Sequence, residues 1–469
     1  MTHAKLKLYN TLTRDKQEFK PLDIDADGNV QSVRMYVCGI TPYDYAHIGN
    51  LRTIVVFDVL YRLLRHIYPN KVEYVRNYTD IDDKIVQRAA EKGIDPFALS
   101  DEFIGIFERD MARMNVLDLP RKQKPRVSDY MREIVAMVNG LLEKGSAYVT
   151  ASGDVMLSVP EFEKLGAPHQ AFGHIARRTF DNLQARVEED AEKRDTRDFP
   201  IWKANSKSAT KLEQAFLPRE LGATFEGFEA PGRPGWHIEC SVMSEQLLGT
   251  KYKKGDSALF DLHGGGEDLA FPHHSCEIAQ TEAFHPECVM SSVWMHVAFL
   301  TVEGQKMSKS LNNFILVEDA LKKYSPEAIR LWLLQTHYRK PVDYSDEALT
   351  AVENRIKRWR NQLEGVEADV AGADALLNVL TDDLDTARAL AIIEELSPAQ
   401  KRGALELLGI EFATTEQVAS ENETALLDAR IAARASKDWA ESDRLRDVLK
   451  NEHGIIVEDG PNGQTWRRV

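Results

Sequence analysis

The residues of this sequence with the least ordinary chemistry are its four cysteines and one histidine-rich run. Cys38 lies in Met35-Tyr36-Val37-Cys38-Gly39-Ile40-Thr41, and Cys240 in Gly235-Trp236-His237-Ile238-Glu239-Cys240-Ser241. Cys276 falls within Phe271-Pro272-His273-His274-Ser275-Cys276-Glu277, and Cys288 stands apart. Thiolate and imidazole donors suit zinc. Pro272 can start a helix, and on that helix His273 shares a face with Cys276 at i+3 and Glu277 at i+4. Thiolate is the softer ligand, so side-chain chemistry alone prefers Cys276 and leaves Glu277 as its rival. The bland alternative is a set of buried, inert core thiols. Structural disulfides are not expected in a large chain without an export signal.

A second group of residues suits phosphate. His47-Ile48-Gly49-Asn50 opens a helix, where unpaired N–H groups and the positive dipole end favour anions. Gly49 lets a nucleotide approach the backbone, and His47 and Asn50 can donate to phosphate oxygens. Lys306-Met307-Ser308-Lys309-Ser310 follows Gly304 and offers two cations three residues apart. Such cations can neutralise charge developing on a departing pyrophosphate. His263 with Gly264, Gly265 and Gly266 is a further candidate. Each segment alone also reads as an ordinary helix start, a solvated loop or a turn.

The elements that must position these groups alternate. Val33–Cys38 reads as a strand, Gly49–His66 as a mostly buried helix and Val72–Arg76 as the next strand, a βαβ unit that implies a parallel sheet and a right-handed crossover. Residues from about 97 to 145 read as helical, and 146–230 as mixed and polar, with a charged run Glu188–Asp198. Strand character returns at Ala258–His263. From about 325 to 450 the pattern is helical, with Glu347–Glu364, Leu380–Glu395 and Glu423–Lys450 the best candidates. Gly454–Glu458 and Thr465–Val469 flank Gly460-Pro461-Asn462-Gly463, a terminal hairpin.

The formal charge, 59 cationic against 74 anionic residues, is −15. That argues against nucleic-acid binding by bulk electrostatics and leaves local patches. Arg355-Ile356-Lys357-Arg358-Trp359-Arg360 and Trp466-Arg467-Arg468 are such candidates, able to hold phosphates and stack bases, although a charged helix face reads equally well. No apolar run is long enough to span a membrane, and the first residues show no secretory leader. A cytoplasmic location with no membrane partner is the expectation.

Together, His47–Asn50 and Lys306–Ser310 resemble the two ATP motifs of class I aminoacyl-tRNA synthetases. The Cys38, Cys240 and His273–Glu277 segments, with Asp261-Leu262-His263-Gly264-Gly265-Gly266, resemble those of cysteinyl-tRNA synthetases. The likeness runs from Tyr9-Asn10-Thr11-Leu12 to Glu458-Asp459-Gly460-Pro461. Asn50 stands where the family commonly has histidine; it can donate a hydrogen bond but cannot become cationic.

The resemblance implies an α/β fold: a Rossmann-type parallel-sheet catalytic domain split by an insertion, then an α-helical domain and a small C-terminal hairpin domain. The corresponding boundaries are 1–115 and 231–300 for the two catalytic halves and 116–230 for the connective insertion. Residues 301–345 form a stem-contact region with the lysine loop, 346–420 a helical bundle and 421–469 a small anticodon-region domain.

It further implies one Zn²⁺ per chain on Cys38, Cys240, His273 and Glu277, and catalytic roles for His47, Asn50, Lys306 and Lys309. ATP, with Mg²⁺, would meet Ile40, His47, Gly49, Asn50, His263 and Lys309. L-cysteine would meet Gly39, Thr41, Thr79, Trp236 and His237. The implied partner is tRNA(Cys), and a monomer is expected. Alternatives are a ligase joining cysteine to a small amine, which should lack the long C-terminal extension, and a non-catalytic tRNA-binding paralogue, which should have lost the lysines or ligands. A related nucleotidyltransferase would not need the paired thiols.

Overall fold

The computed structural model describes residues 5–166, 171–176, 191–204, 224–225, 228–229, 232–252, 256–307, 313–412, 421–453, 455–460 and 463–468. The chain forms two compact units, residues 1–411 and 412–469.

A parallel sheet organises the first unit. Its strands are β1 (Val30–Ile40), β2 (Val72–Tyr78), β3 (Ala258–Gly266) and β4 (Val289–Val297), in the spatial order β4-β3-β1-β2. All three pairings are parallel, and Asp23–Ile24 adds a short antiparallel edge to β1. Strand β1 is buried continuously from Ser32 to Cys38, as expected for a central parallel strand covered on both faces.

Helix α1 (Ile48–Ile67) connects β1 to β2, and α3 (His273–Phe284) connects β3 to β4. These crossovers leave the β1–β3 pair in opposite directions. Right-handed connections therefore put α1 and α3 on opposite faces, with α2 (Trp236–Leu248) packed against α3. The crevice at the carboxyl ends of β1 and β3 is where such sheets hold ligands.

Strand β3 runs three residues beyond the expected His263, through Gly264, Gly265 and Gly266. Glycine is poor in strands, but here it makes room. A Cβ on Gly264 would lie 2.1 Å from Cζ of Phe57 on α1.

Other differences from the sequence reading have local causes. The helical stretch expected over 97–145 is two helices, Pro96–Arg113 and Met131–Glu143, separated by a segment containing Pro120 and Pro125. The expected helix Leu380–Glu395 begins only at Thr386. Asp383 and Leu384 turn out of the helix with positive φ, because the Asp383 carboxylate accepts from the Tyr9 amide, the Tyr338 hydroxyl and Arg339. Asp385 then caps the new helix.

Helices Pro326–Leu334, Asp346–Leu363, Ala371–Leu380, Thr386–Glu395 and Pro398–Leu407 follow the sheet in this unit. Within 116–234, strands Ala147–Val149, Val155–Leu157, Phe199–Ala204 and Gly232–Pro234 form a separate antiparallel sheet. In the second unit, Glu423–Lys450 is likewise two helices, Glu421–Ala435 and Trp439–His453, parted where Lys437 adopts φ 63°. Ile455–Gly460 and Gly463–Arg468 form the antiparallel terminal hairpin. No described helix is long and apolar enough to cross a membrane.

One buried ion pair ties α1 to the helices beyond the sheet. Asp58 accepts from the Leu117 amide at 2.8 Å, from Arg62 Nε at 2.9 Å and from Arg330 Nη2. Arg330 also donates to the Leu408 carbonyl at 2.7 Å. Burial alone would raise the Asp58 pKa, but Arg330 and Arg62 outweigh it and hold the carboxyl below its ordinary range. Asp58→Ala strands a buried guanidinium and should cost about 3–5 kcal/mol in urea unfolding. A carboxyl more acidic when folded stabilises fully above its unfolded value of about 3.9 and loses that contribution as pH falls through the folded value. The deficit of Asp58→Ala should therefore be constant near neutrality and shrink only below about pH 4.

Candidate functional site

At the carboxyl end of β1 the sheet and two helices converge on one cluster. Cys38 comes from β1, His263 from β3, Cys240 from the second turn of α2, and His273 and Glu277 from successive turns of α3. One possible donor atom from each of Cys38, Cys240, His273 and Glu277 lies within 4.8 Å of the others, and the same holds for Cys38, His263, His274 and Glu277. All six residues are buried. Cys276 belongs to neither grouping; it lines a separate cavity of about 220 Å³ with Trp236 and His237. Cys288 is also buried, and burial pushes its thiol up to about 11.

The charges of the cluster are mutually compensated. Glu277 meets His273 Nε2 at 2.8 Å, His263 Nε2 at 3.0 Å and the Cys38 thiol at 3.4 Å. Burial opposes its ionisation, yet His263 and His273 hold it well below the carboxylate range. Burial also opposes charge on His273, but Glu277 and Cys240 outweigh that and raise it to about 10. The Cys240 thiol, pushed up by burial, is drawn down to about 6 by the Cys38 hydrogen bond and His273. Cys38 stays a thiol, raised by burial and by Cys240. His237, neutral because it is buried beside His273, meets His273 Nδ1 at 3.0 Å through its own Nδ1.

Two soft donors, an imidazole and a carboxylate around one point suit a four-coordinate divalent cation. The positive charge now carried by His273 answers the same need.

Behind the cluster runs a chain of neutral groups: His274, which reads in the sequence as a hydrogen-bonded structural histidine rather than a ligand, and His296, which the sequence reading missed. His274 Nε2 lies 3.4 Å from Cys38 Sγ, His274 Nδ1 2.7 Å from His296 Nε2, and His296 Nδ1 2.9 Å from Thr11 Oγ1. Burial drives His274 well down and His296 to about 3. His296 is a lone histidine in the apolar strand Val293-Trp294-Met295-His296-Val297, a weak signal without the fold.

In front of the cluster opens a cavity of about 340 Å³, lined by Cys38, Gly39, Ile40, His47, Gly49 and Asn50 on one side and by Met307 and Phe314 on the other. The two phosphate-type segments thus line one cavity. His47 Nδ1 accepts from the Asn50 amide while Asn50 Oδ1 accepts from the His47 amide, a reciprocal cap on α1. With Nδ1 accepting, the neutral ring carries its proton on Nε2. A Cβ on Gly49 would lie 2.9 Å from His47 Nδ1 and 3.0 Å from Met307 Cε. The chain after the lysine loop returns to the same place: the Ile48 amide donates to Ile315 and the Val317 amide to Ala46. Lys306 lies in the short strand Gln305–Lys306, while Lys309 lies outside the described residues.

The remaining sequence candidates distribute as follows. His263 is fully buried in the cluster, stacked on Trp294 at 4.4 Å, and is not among the residues lining the cavity. Thr79 is buried beside β1, its amide donating to the Ile40 carbonyl, and Thr41 is half-buried in the loop after β1. Trp236, 39% exposed, packs its ring 4.5 Å from that of His273. Trp359 is 2% exposed beneath Arg355, whose charge pairs with Glu394. It is a core residue of the bundle, unavailable for stacking on a base.

Comparison with known proteins shows what the chain is similar to. Residues 26–354 match the family described as the class I (C) tRNA synthetase catalytic domain, and residues 418–467 the cysteinyl-tRNA ligase anticodon-binding domain. A cysteine–tRNA ligase of Methylocella silvestris is 42% identical, covering 98% of each chain. One from Chromobacterium violaceum is 40% identical, covering 99% of this chain and 100% of its own. In fold, the Mycobacterium tuberculosis methionyl-tRNA synthetase bound to methionyl-adenylate superposes with a TM-score of 0.53 at 14% identity, over 88% of this chain and 96% of its own.

Cobalt(II) titration tests the cluster as a metal site. One equivalent should bind with thiolate-to-metal absorption. Cys38→Ser, which removes a donor common to both groupings, should weaken binding by at least the roughly 10–100-fold that loss of an outer-shell partner costs.

Proposed function

We propose that this chain, which belongs to the cysteine–tRNA ligase family of class I aminoacyl-tRNA synthetases, activates L-cysteine with ATP and transfers it to tRNA(Cys) in the cytoplasm, as a monomer. The observation that carries this reading is the position of Cys38. It belongs to the thiol–histidine–carboxylate cluster and also lines the cavity that His47, Gly49 and Asn50 share with Met307. A sulfur-seeking centre therefore opens directly onto a phosphate-type site.

In the first step the cysteine carboxylate attacks the α-phosphorus of ATP and pyrophosphate leaves, forming cysteinyl-adenylate. In the second, a hydroxyl of the tRNA's 3′-terminal adenosine attacks the activated carbonyl and AMP leaves. The chain's own residues act by orientation and charge stabilisation. The first turn of α1, with His47 and Asn50, offers donors to the phosphates, and Gly49 and Ile40 leave room for the nucleotide, while His263, expected beside it, is buried in the cluster instead. Lys306 and Lys309 offset the charge of the departing pyrophosphate, with a Mg²⁺ accompanying ATP. Gly39, Thr41, Thr79, Trp236 and His237 surround the amino acid. The second unit engages tRNA, as the match of residues 418–467 supports.

We assign the metal to Cys38, Cys240, His273 and Glu277, because this set supplies two thiolates where the rival supplies one. Zinc bound there would take the substrate's thiol as thiolate, in preference to the hydroxyl of serine. Shape alone separates such near-isosteres by only about 100-fold or less. A ligase acting on a small amine is disfavoured by the anticodon-type unit, and a non-catalytic paralogue by the retained lysines and ligands.

Three measurements test this reading. Aminoacylation of a tRNA pool with each amino acid should yield cysteinyl-tRNA alone and should stop on zinc chelation. Lys309→Ala should depress cysteine-dependent pyrophosphate exchange by about 10²-fold or more while zinc stays bound. Cys276→Ser should retain one zinc per chain; loss of the metal there would refute the ligand assignment.

A further inference from the structure

Arg52 lies on α1, five residues after His47, and is 1% exposed. A buried arginine ordinarily faces a carboxylate. Among the described residues none lies within ion-pair distance of this one. Its guanidinium instead donates to four backbone carbonyls: Nη1 to Ala298 at 2.7 Å and Phe299 at 2.8 Å, Nη2 to Lys340 at 2.5 Å and His337 at 3.4 Å. Burial draws Arg52 down to about 10, against the opposing charge of Glu267, so it remains cationic near neutral pH.

Those carbonyls mark a junction. Ala298 and Phe299 follow β4 and line the nucleotide-type cavity. The next residues form Leu300–Val302, which pairs with Gln305–Lys306 and, in parallel, with Val342–Tyr344. One side chain on the phosphate-side helix thus holds the two segments that lead into Leu300–Val302, the first strand of the lysine hairpin, and into Val342–Tyr344, the strand beside it.

We propose that Arg52 is a positioning residue for the nucleotide. Its four-carbonyl clamp holds the Ala298–Phe299 floor of the cavity and the root of the lysine hairpin in register with the first turn of α1. A planar fork can meet four acceptors on two segments; an ammonium has three donors at one point, and a thioether has none.

The inference rests on the synthetase reading above, so it is tested in two ways on the full-length, metal-loaded chain. In cysteine-dependent pyrophosphate exchange, Arg52→Met should lower kcat/KM for ATP by about 10–100-fold, the scale of a small misplacement of reacting groups. The cysteine KM should stay within about twofold and the metal at one per chain, because the cluster lies on other elements. Arg52→Lys should recover part of the loss.

ATP binding by calorimetry without cysteine should weaken in the same order. This second readout separates the two ideas: a wild-type chain inactive with cysteine would overturn the synthetase reading and leave the binding comparison standing. Two results would overturn the role of Arg52. One is wild-type ATP affinity in both variants. The other is activity that falls only in proportion to the folded fraction seen by circular dichroism, including the case in which neither variant folds.

Discussion

A carboxylate shut away from water must be neutralised by whatever surrounds it, and Glu277 imposes that demand on everything near it. Its neighbours come from every layer of the first unit: Cys38 from the sheet centre, His263 from the adjacent strand, His273 from its own helix. Moving either histidine leaves the carboxylate charge less compensated, and moving Cys38 removes a hydrogen bond to it. The cost of burial thus gives the cluster its geometry, and that geometry fits a four-coordinate cation. The neutral His274, His296 and Thr11 extend that order outward, joining α3 to β4 and to the N-terminal segment.

The nucleotide side depends on a different economy, that of backbone groups. Helix α1 carries the reciprocal His47–Asn50 cap, the space at Gly49, the Arg52 clamp and the Asp58 ion pair along one rod. Its first turn faces the cavity and its middle is bolted to the helices beyond the sheet. A displacement at Asp58 or Arg52 is therefore carried to the phosphate end by a rigid element rather than through side-chain repacking.

Much of this was legible in the sequence because it obeys local rules. Apolar runs at 33–38 and 72–76 around a buried helix announce a βαβ unit, and α1, β1 and β2 form there. His273 and Glu277 at i and i+4 meet on one face because an α-helix repeats every 3.6 residues. Illegible were features set by distant partners. The break at Asp383 depends on Tyr9 and Tyr338, and β3 continues through three glycines because β4 pairs with each of them, Gly264 leaving room for Phe57. Trp359 sits among arginines in the sequence yet faces the bundle interior, since neighbouring charges say nothing about which side of a helix is covered. His296 could gain meaning only once α3 lay beside β4.

The contact between Gly264 and Phe57 has a consequence for how such a chain can drift. The two positions, more than two hundred residues apart in sequence, occupy a single volume between sheet and helix. A methyl group at Gly264 must be matched by a smaller side chain at Phe57, so the glycine can change only with or after the phenylalanine. Lineages that enlarge Gly264 first pass through an overfilled interior, whereas those that shrink Phe57 first pass through a void, so the order in which the two changes arise decides which routes are open.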